Sequence, residues 1–447
     1  MPPDVTLPAS LALLLGALRP CFTAPSFRTF TALVAGLAGQ PRRRTVVGML
    51  LGAGLGLAWP HDRAHYFFAR ARWDLDQAGL AVARLAAALL VPPGAPLRVA
   101  VDDSVFRRSG RKVHGAGWQY DGSSPAESKI SYGNCFVTAA LIVALPFCTR
   151  EVALPVLARL HLPGKKNRRR GGGADQGKVA VAAELTALLA LAFPARAVHA
   201  VADAAYHGPA LRDLPPNVTW TCRVPRNAVL YAPAPPRSGR PGRPRARGAR
   251  LGTPAEIAAA ARWRQRPAAV YGGRTEPRLA ADLPCLWYGS WRTRPVRLVL
   301  ARAPRSRKPC DLALVTTDMN TPAEALISRY AARWSIEQAF SDARNVLGAG
   351  EARNRTRRAV ERTVPFAMLA SALIITWYAR HGRGRAAARD RRASQPWYTA
   401  KEEPAFEDML NELRRVLITA RISAGSQAEP TPQQIHDVLT AWHAAAA

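Results

Sequence analysis

The sequence predicts an α/β protein with a helical N-terminal part, and three observations carry that prediction. Strand-like apolar runs, LRVAVDDS (97–104) and RAVHAVADAAY (196–206), flank the Ala/Leu-rich helical run KVAVAAELTALLALAF (178–193). An order of strand, helix, strand points to an α/β core. Ahead of it, residues 1–95 carry long Ala/Leu-rich stretches such as LDQAGLAVARLAAALL (75–90), closed by the breaker PPGAP; these mark a helical region with a boundary. Finally, 48% hydrophobic content over 447 residues is ample for buried cores, and at about 150 residues per domain the length allows two or three domains.

Taken in order, NCFVTAALIVALPF (134–147) reads as a further strand-like run and PGKKNRRRGGGADQG (163–177) as a basic, glycine-rich linker. APAPPRSGRPGRPRARGAR (232–250) contains no acid and is rich in Pro, Gly and Arg, which predicts an extended basic loop with contacts to phosphate. More strand-like text follows in CLWYGSW (285–291), RPVRLVLAR (294–302) and DLALVTT (311–317). TPAEALISRY then opens a helix, with Thr321 as N-cap, Pro322 at N1 and Glu324 at N3. The resulting segments are 1–95, 96–224, 225–320, 321–380 and a helical 381–447, with no internal repeat.

Charge narrows the partner. The formal net charge is +32, from 63 Lys+Arg against 31 Asp+Glu. That excess goes beyond what solubility requires and points to a polyanion, nucleic acid first. A membrane surface also attracts cations, but TVVGMLLGAGLGLAW (45–59) is short and glycine-rich, whereas a spanning helix needs about 20 residues. The N-terminus has no basic stretch ahead of its apolar run, so no signal peptide is read and the expected location is the cytoplasm. Six cysteines, Cys21, Cys135, Cys148, Cys222, Cys285 and Cys310, are scattered without zinc-type spacing and read as buried thiols.

Three acids stand out by position. Asp102 or Asp103 ends the first core strand, Asp203 ends a later one, and Glu337 lies in RYAARWSIEQAFSDARNVLGAGEARNRTRR (329–358). At about 100° per residue, Tyr330, Arg333, Glu337 and Arg344 share a narrow arc of a continuous helix, beside an apolar stripe of Ile336, Phe340, Ala343 and Leu347. Glu337 is then expected to face out of the core among cations. In a second local reading, Ser335 and Gln338 form a capping box that starts a new helix and leaves Tyr330 and Arg333 on the segment before it. Gly348 gives a C-terminal stop. Phosphodiester cleavage needs an activated water and a stabilised leaving oxygen, and two divalent ions about 4 Å apart supply both. Magnesium takes hard oxygen ligands, so three carboxylates from different elements suit it. Taken singly, each Asp reads first as a turn or cap residue and Glu337 first as part of a solvated helix face. His114, His199 and His207 lack ligand spacing and read as structural or surface residues.

The spacing Tyr330-x2-Arg333-x3-Glu337-x6-Arg344 resembles the Y-x2-R-x3-E-x6-K motif of cut-and-paste DDE transposases from bacterial insertion sequences, with Arg344 where that motif has lysine. The contexts VDDSVFRRSGRKVHGAGWQYDGSS (101–124), ADAAYHGPAL (202–211) and EARNRTRRAVERTVPF (351–366) are similar to the endonuclease-like branch of those enzymes, and the resemblance runs from about Leu97 to Trp442. It implies an RNase H-like catalytic core, with metal-binding and catalytic roles for Asp102, Asp203 and Glu337 and with Asp103 as the rival to Asp102. It implies Mg²⁺ as cofactor, with Mn²⁺ able to substitute. Tyr330, Arg333 and Arg344 would contact DNA phosphates. The 133 residues between Asp203 and Glu337 resemble the β-rich insertion of this branch. Also implied are double-stranded DNA partners, namely terminal inverted repeats and target DNA, a homodimer in the synaptic complex, and repeat recognition by the N-terminal helical part, where QPRRRTVVG and HDRAHYFFARARW mix cations with aromatics. Two rival readings remain at this point: a non-catalytic DNA-binding relative, and an RNase H-like nuclease that cuts without strand transfer.

Overall fold

The computed structural model describes residues 4–40, 44–122, 124, 127–162, 177–236, 245–270, 272–395, 397–425 and 429–446. Most of the basic linker (163–176) and the centre of the basic loop (237–244) lie outside the described residues.

The N-terminal part folds as helices α1 (Ala9–Gly16), α2 (Ala24–Gly39), α3 (Val46–Gly52), α4 (His61–Ala69) and α5 (Leu75–Leu90). Side-chain oxygens cap three of them: Thr23 accepts from the Ser26 amide, Thr45 from Gly48 and Asp74 from Gln77, satisfying amides that a helix start leaves orphaned. The glycine-rich apolar run is explained by α2 crossing α3 at backbone contact. A Cβ on Gly36 would sit 1.7 Å from the Met49 carbonyl oxygen, so no larger residue fits there.

Ten strands form one mixed sheet: β1 (Leu97–Arg107), β2 (Gly117–Tyr120), β3 (Ile130–Val143), β4 (Val152–His161), β5 (Val198–Ala202), β6 (Val218–Arg223), β9 (Arg264–Ala269), β10 (Thr275–Cys285), β11 (Val296–Arg302) and β12 (Leu312–Thr316). Strands β7 (Leu230–Tyr231) and β8 (Arg250–Gly252) pair separately. The order is β2-β3-β1-β5-β6-β12-β11-β10-β9, with β4 also on β3. Strands β1, β5 and β6 run parallel, and the other pairs are antiparallel. The helix α6 (Lys178–Ala192) precedes β5, and strands β9, β10, β11 and β12 of 225–320 extend this same sheet through β12 on β6. Short helices α7 (Pro254–Ala259) and α8 (Tyr288–Trp291) punctuate that extension.

Three expectations need correction. Strand β1 does not stop at the acids but continues to Arg107, because Ser104, Val105 and Phe106 are buried and pair with Phe136, Cys135 and Asn134. CLWYGSW is not a strand: β10 ends at Cys285 and Tyr288–Trp291 turns helically. The helix expected from Thr321 is α9 (Ala323–Ala331), with Pro322 at its N-cap and Thr321 donating its hydroxyl to Asp318 Oδ2 instead.

The C-terminal half adds α10 (Ser335–Asn345), α11 (Arg357–His381), α12 (Ala386–Ser394), α13 (Phe406–Gly425) and α14 (Pro432–Ala446). Helix α11 is long and apolar enough to cross a membrane, and most of it is buried inside the protein. Its Phe366 meets Phe30, Phe67 and Phe68, while Arg362 donates to the carbonyls of Phe67, Phe68, Ala71 and Trp73. One apolar core therefore runs from Leu11 of α1 to Leu417 of α13. The opposite face of the sheet packs Ala100, Phe106, Phe136, Ala140 and Val201 against Ile336, Phe340 and Ala343 of α10 and Met368 of α11.

Candidate active site

Alternation along β1 sorts the two adjacent acids onto opposite faces. Ala100 and Phe106 pack on the α10 face while Val99 and Val101 pack on the other, so Asp102 lies on the α10 face and Asp103 on the α6 face. In the parallel β1–β5 pair Val101 stands beside Ala202, and the next step of that register sets Asp102 beside Asp203. Glu337 sits in the first turn of α10 above them. All three carboxylates line one groove of about 1630 Å³, together with Asp103, Lys178, Arg107, Arg108, Arg111, Lys112 and Arg344.

The helix that carries Glu337 is broken rather than continuous. After α9, residues Ala332–Trp334 form a 3₁₀ turn and α10 starts at Ser335. The break is not a capping box, because Ser335 Oγ donates back to the Ala332 carbonyl at 2.7 Å. Gly348 adopts a φ of +63° beyond α10, with the Ala349 amide donating to the Ala343 carbonyl at 2.8 Å. That is the left-handed stop for which glycine is suited.

Within the protein, Arg333 contacts two of the acids. It is 7% exposed, and its guanidinium bridges the acids, one nitrogen 2.7 Å from Asp102 Oδ2 and the other 2.9 Å from Glu337 Oε1. Burial pushes the Asp102 carboxyl up to about 7; Arg333 opposes the rise and Asp203 adds to it. Burial also works against the charge on Arg333, but Asp102 and Glu337 outweigh it and hold its pKa above the ordinary arginine value. Tyr330 packs beside Arg333, whose guanidinium carbon is 5.7 Å from the ring centroid. Arg344 lines the groove; its Nε donates to the Phe340 carbonyl at 3.3 Å and its guanidinium lies 5.9 Å from the Phe106 ring centroid.

Asp103 is occupied differently. Lys178 Nζ donates to its Oδ2 at 2.6 Å, Tyr206 to its Oδ1 at 2.7 Å and the Cys135 thiol to its Oδ2 at 3.1 Å. Three donors to one carboxylate leave it less room for a cation. Lys178 and Tyr206 escaped notice in the sequence. The available signal was the lysine itself, one of seven in a chain whose basic residues are otherwise arginine.

Whether a divalent cation suits this donor set can be judged from its chemistry. Among the described residues, no three His, Cys, Asp or Glu side chains close on one point. Asp102 and Asp203 nevertheless stand as neighbours, and the Asp102 pKa is raised by burial and by Asp203, a rise that Arg333, shared with Glu337, offsets only in part. Hard carboxylate oxygens crowded together so that burial and a neighbouring carboxylate oppose ionisation fit a divalent cation, which would favour the charged form. The histidines are engaged elsewhere: His199 with Thr219, His207 with Ser290 and the Trp287 ring, and His114 near Glu361.

Residues 17–276 match the DDE superfamily endonuclease family, more than half of the chain. The chain belongs to that family. It is a DDE-type, transposase-like endonuclease, and DNA is what such enzymes act on. The matched span contains Asp102 and Asp203, and Glu337 lies beyond its end. No curated protein matches the chain. All six cysteines of this DDE endonuclease are free thiols; Cys135, Cys222 and Cys285 are buried and Cys21, Cys148 and Cys310 partly so.

Proposed function

We propose that the protein is a DNA transposase that cleaves phosphodiesters at the ends of a mobile element and joins the freed 3′ end to target DNA, with Asp102, Asp203 and Glu337 as its catalytic carboxylates. The observation that carries this reading is the proximity of Asp102 in β1 to Asp203, the residue that follows the parallel strand β5, with Glu337 on the same face and in the same cationic groove. Asp102 is preferred over Asp103 because Asp103, although it borders the same groove, sits on the α6 side of β1 and already accepts three donors. An RNase H-like core would comprise residues 96–224 and 321–380, with β4-β3-β1-β5-β6 as its sheet and 225–320 as the insertion. Residues 1–95 would bind the terminal inverted repeats, and 381–447 would be a helical C-terminal region.

Mg²⁺ or Mn²⁺ held by Asp102, Asp203 and Glu337 would activate the attacking water and stabilise the leaving 3′ oxygen. The chain's own part is binding and orientation. Arg107, Arg111 and Lys112 are exposed along the groove, where they would hold the phosphate backbone through charge-assisted bonds. Arg344 would meet phosphate nearest Glu337. Arg333 holds Asp102 and Glu337 at a fixed separation and offsets part of the repulsion among the carboxylates. The enzyme would pair two ends as a homodimer and act in the bacterial cytoplasm, where its DNA is.

The test is incubation of the protein with linear DNA carrying the flanking inverted repeats, with Mg²⁺ or with EDTA, and analysis of products. Metal-dependent nicks at the repeat end followed by joined DNA support the whole reading. Nicks without joined product reduce it to a nuclease, and repeat binding without nicks reduces it to a DNA-binding relative.

A further inference from the structure

The β1–β2–β3 edge carries an exposed aromatic patch that the chemistry above does not use. Trp118 and Tyr120 of β2 are 73% and 72% exposed, and Ile130 of β3 is 47% exposed. Such surface is seldom left in water without a partner. Trp118 pairs with Tyr132 and Tyr120 with Ile130 across the β2–β3 ladder, and the Trp118 and Tyr132 rings meet edge-on at 5.6 Å. These four side chains therefore share one face.

That face is the face of the acids. Tyr132 is an even-numbered residue of β3 like Phe136 and Ala140, which pack against α10, and Thr138 stands opposite Asp102. Six residues of β3 separate Thr138 from Tyr132, roughly 20 Å at about 3.3 Å per residue. Tyr120 itself lines the groove that holds the acids. The exposed cations Arg107, Arg111 and Lys112 lie between, on the end of β1 and its connection to β2; Arg107 is 3.6 Å from Asp121.

We infer that Trp118 and Tyr120 form a stacking platform for unpaired nucleobases, roughly six base steps from the phosphate cleaved at Asp102. The inference rests on the nuclease reading of the groove. Charge complementarity selects the occupant. A second copy of this chain, itself carrying +32, would bring like charge against the cationic rim, whereas DNA brings phosphate to the cations and aromatic faces to the rings. Duplex DNA keeps its base faces in the stack, so the rings require a base released from pairing.

The test uses the full chain in EDTA, so that nothing is cut. Affinity is measured by fluorescence anisotropy for a blunt duplex and for the same duplex with a short single-stranded tail containing 2-aminopurine. The wild type is expected to favour the tailed duplex by about tenfold and to quench the 2-aminopurine. The Trp118→Ala/Tyr120→Ala variant should lose the preference for the tailed over the blunt duplex together with the quenching, and Trp118→Phe/Tyr120→Phe should retain both. Equal wild-type affinity for the two DNAs overturns the inference, as does a preference that survives in the double alanine variant. A variant whose only change is loss of self-association in sedimentation overturns it too, and makes the patch a contact between copies. Wild-type protein that binds neither DNA overturns the nuclease reading itself, an outcome distinct from the others.

Discussion

Arg333 is the residue whose environment says most about the site. Its guanidinium is almost fully buried and shared between Asp102 and Glu337, so Arg333→Ala leaves the buried Asp102 carboxylate without its counter-charge. Removing one partner of a buried pair costs about 3–5 kcal/mol. Urea unfolding should show a loss of that order, and Arg333→Ala/Asp102→Asn should recover most of it; an additive double variant contradicts the pairing. Arg344 is a different kind of cation, lying along the groove wall. Arg344→Ala should weaken DNA binding across sequences and lower the slope of log K against log salt by about one, while Arg344→Lys keeps that slope. Unchanged slopes in both would remove Arg344 from the phosphate contacts.

At the scale of elements, the stop after α10 depends on Gly348. Gly348 has a φ of +63°, and a Cβ there would lie 2.7 Å from the Arg44 Cβ. Gly348→Ala should therefore destabilise by about 1–2 kcal/mol, read as a lowered urea midpoint. In β5, burial pushes the His199 pKa down to about 4, with Arg329 adding to the effect. The unfolded chain takes up a proton near pH 6.5 that the folded chain refuses, so stability is full above that pH and falls as pH drops from about 6.5 to about 4. His199→Gln should flatten that part of the stability profile by about 1–3 kcal/mol at pH 4, and an unaltered profile would contradict a neutral, half-buried His199. Helices with strong composition, such as α5 and α6, were legible in the sequence, as were β3, β5, β11 and β12. Strand β4 was not, because Pro155 interrupts its ladder; the register shifts between Ala139 and Ala140 opposite it, an irregularity that accommodates a residue without an N–H. The end of β1 was misread because Asp102 and Asp103 look like a turn, whereas pairing with β3 carries the strand past them.

For the whole molecule, neighbouring strands did what sequence distance hides. Asp102, Asp203 and Glu337 were each legible as candidates, but only the sheet order separates Asp102 from Asp103, since that depends on which face α10 covers. The partners of Asp103, namely Lys178, Tyr206 and Cys135, come from three elements and could not be read from any local pattern. The strongly positive chain should bind DNA with steep salt dependence, but the central claim concerns carboxylates rather than charge. It is tested most directly by repeat-end cleavage in Mg²⁺ with Asp102→Asn, Asp103→Asn, Asp203→Asn and Glu337→Gln compared side by side at equal DNA occupancy. The account predicts cleavage lost by about a thousandfold or more in Asp102→Asn, Asp203→Asn and Glu337→Gln, with Asp103→Asn still cutting. Full activity in Asp102→Asn, or in either Asp203→Asn or Glu337→Gln, would contradict it.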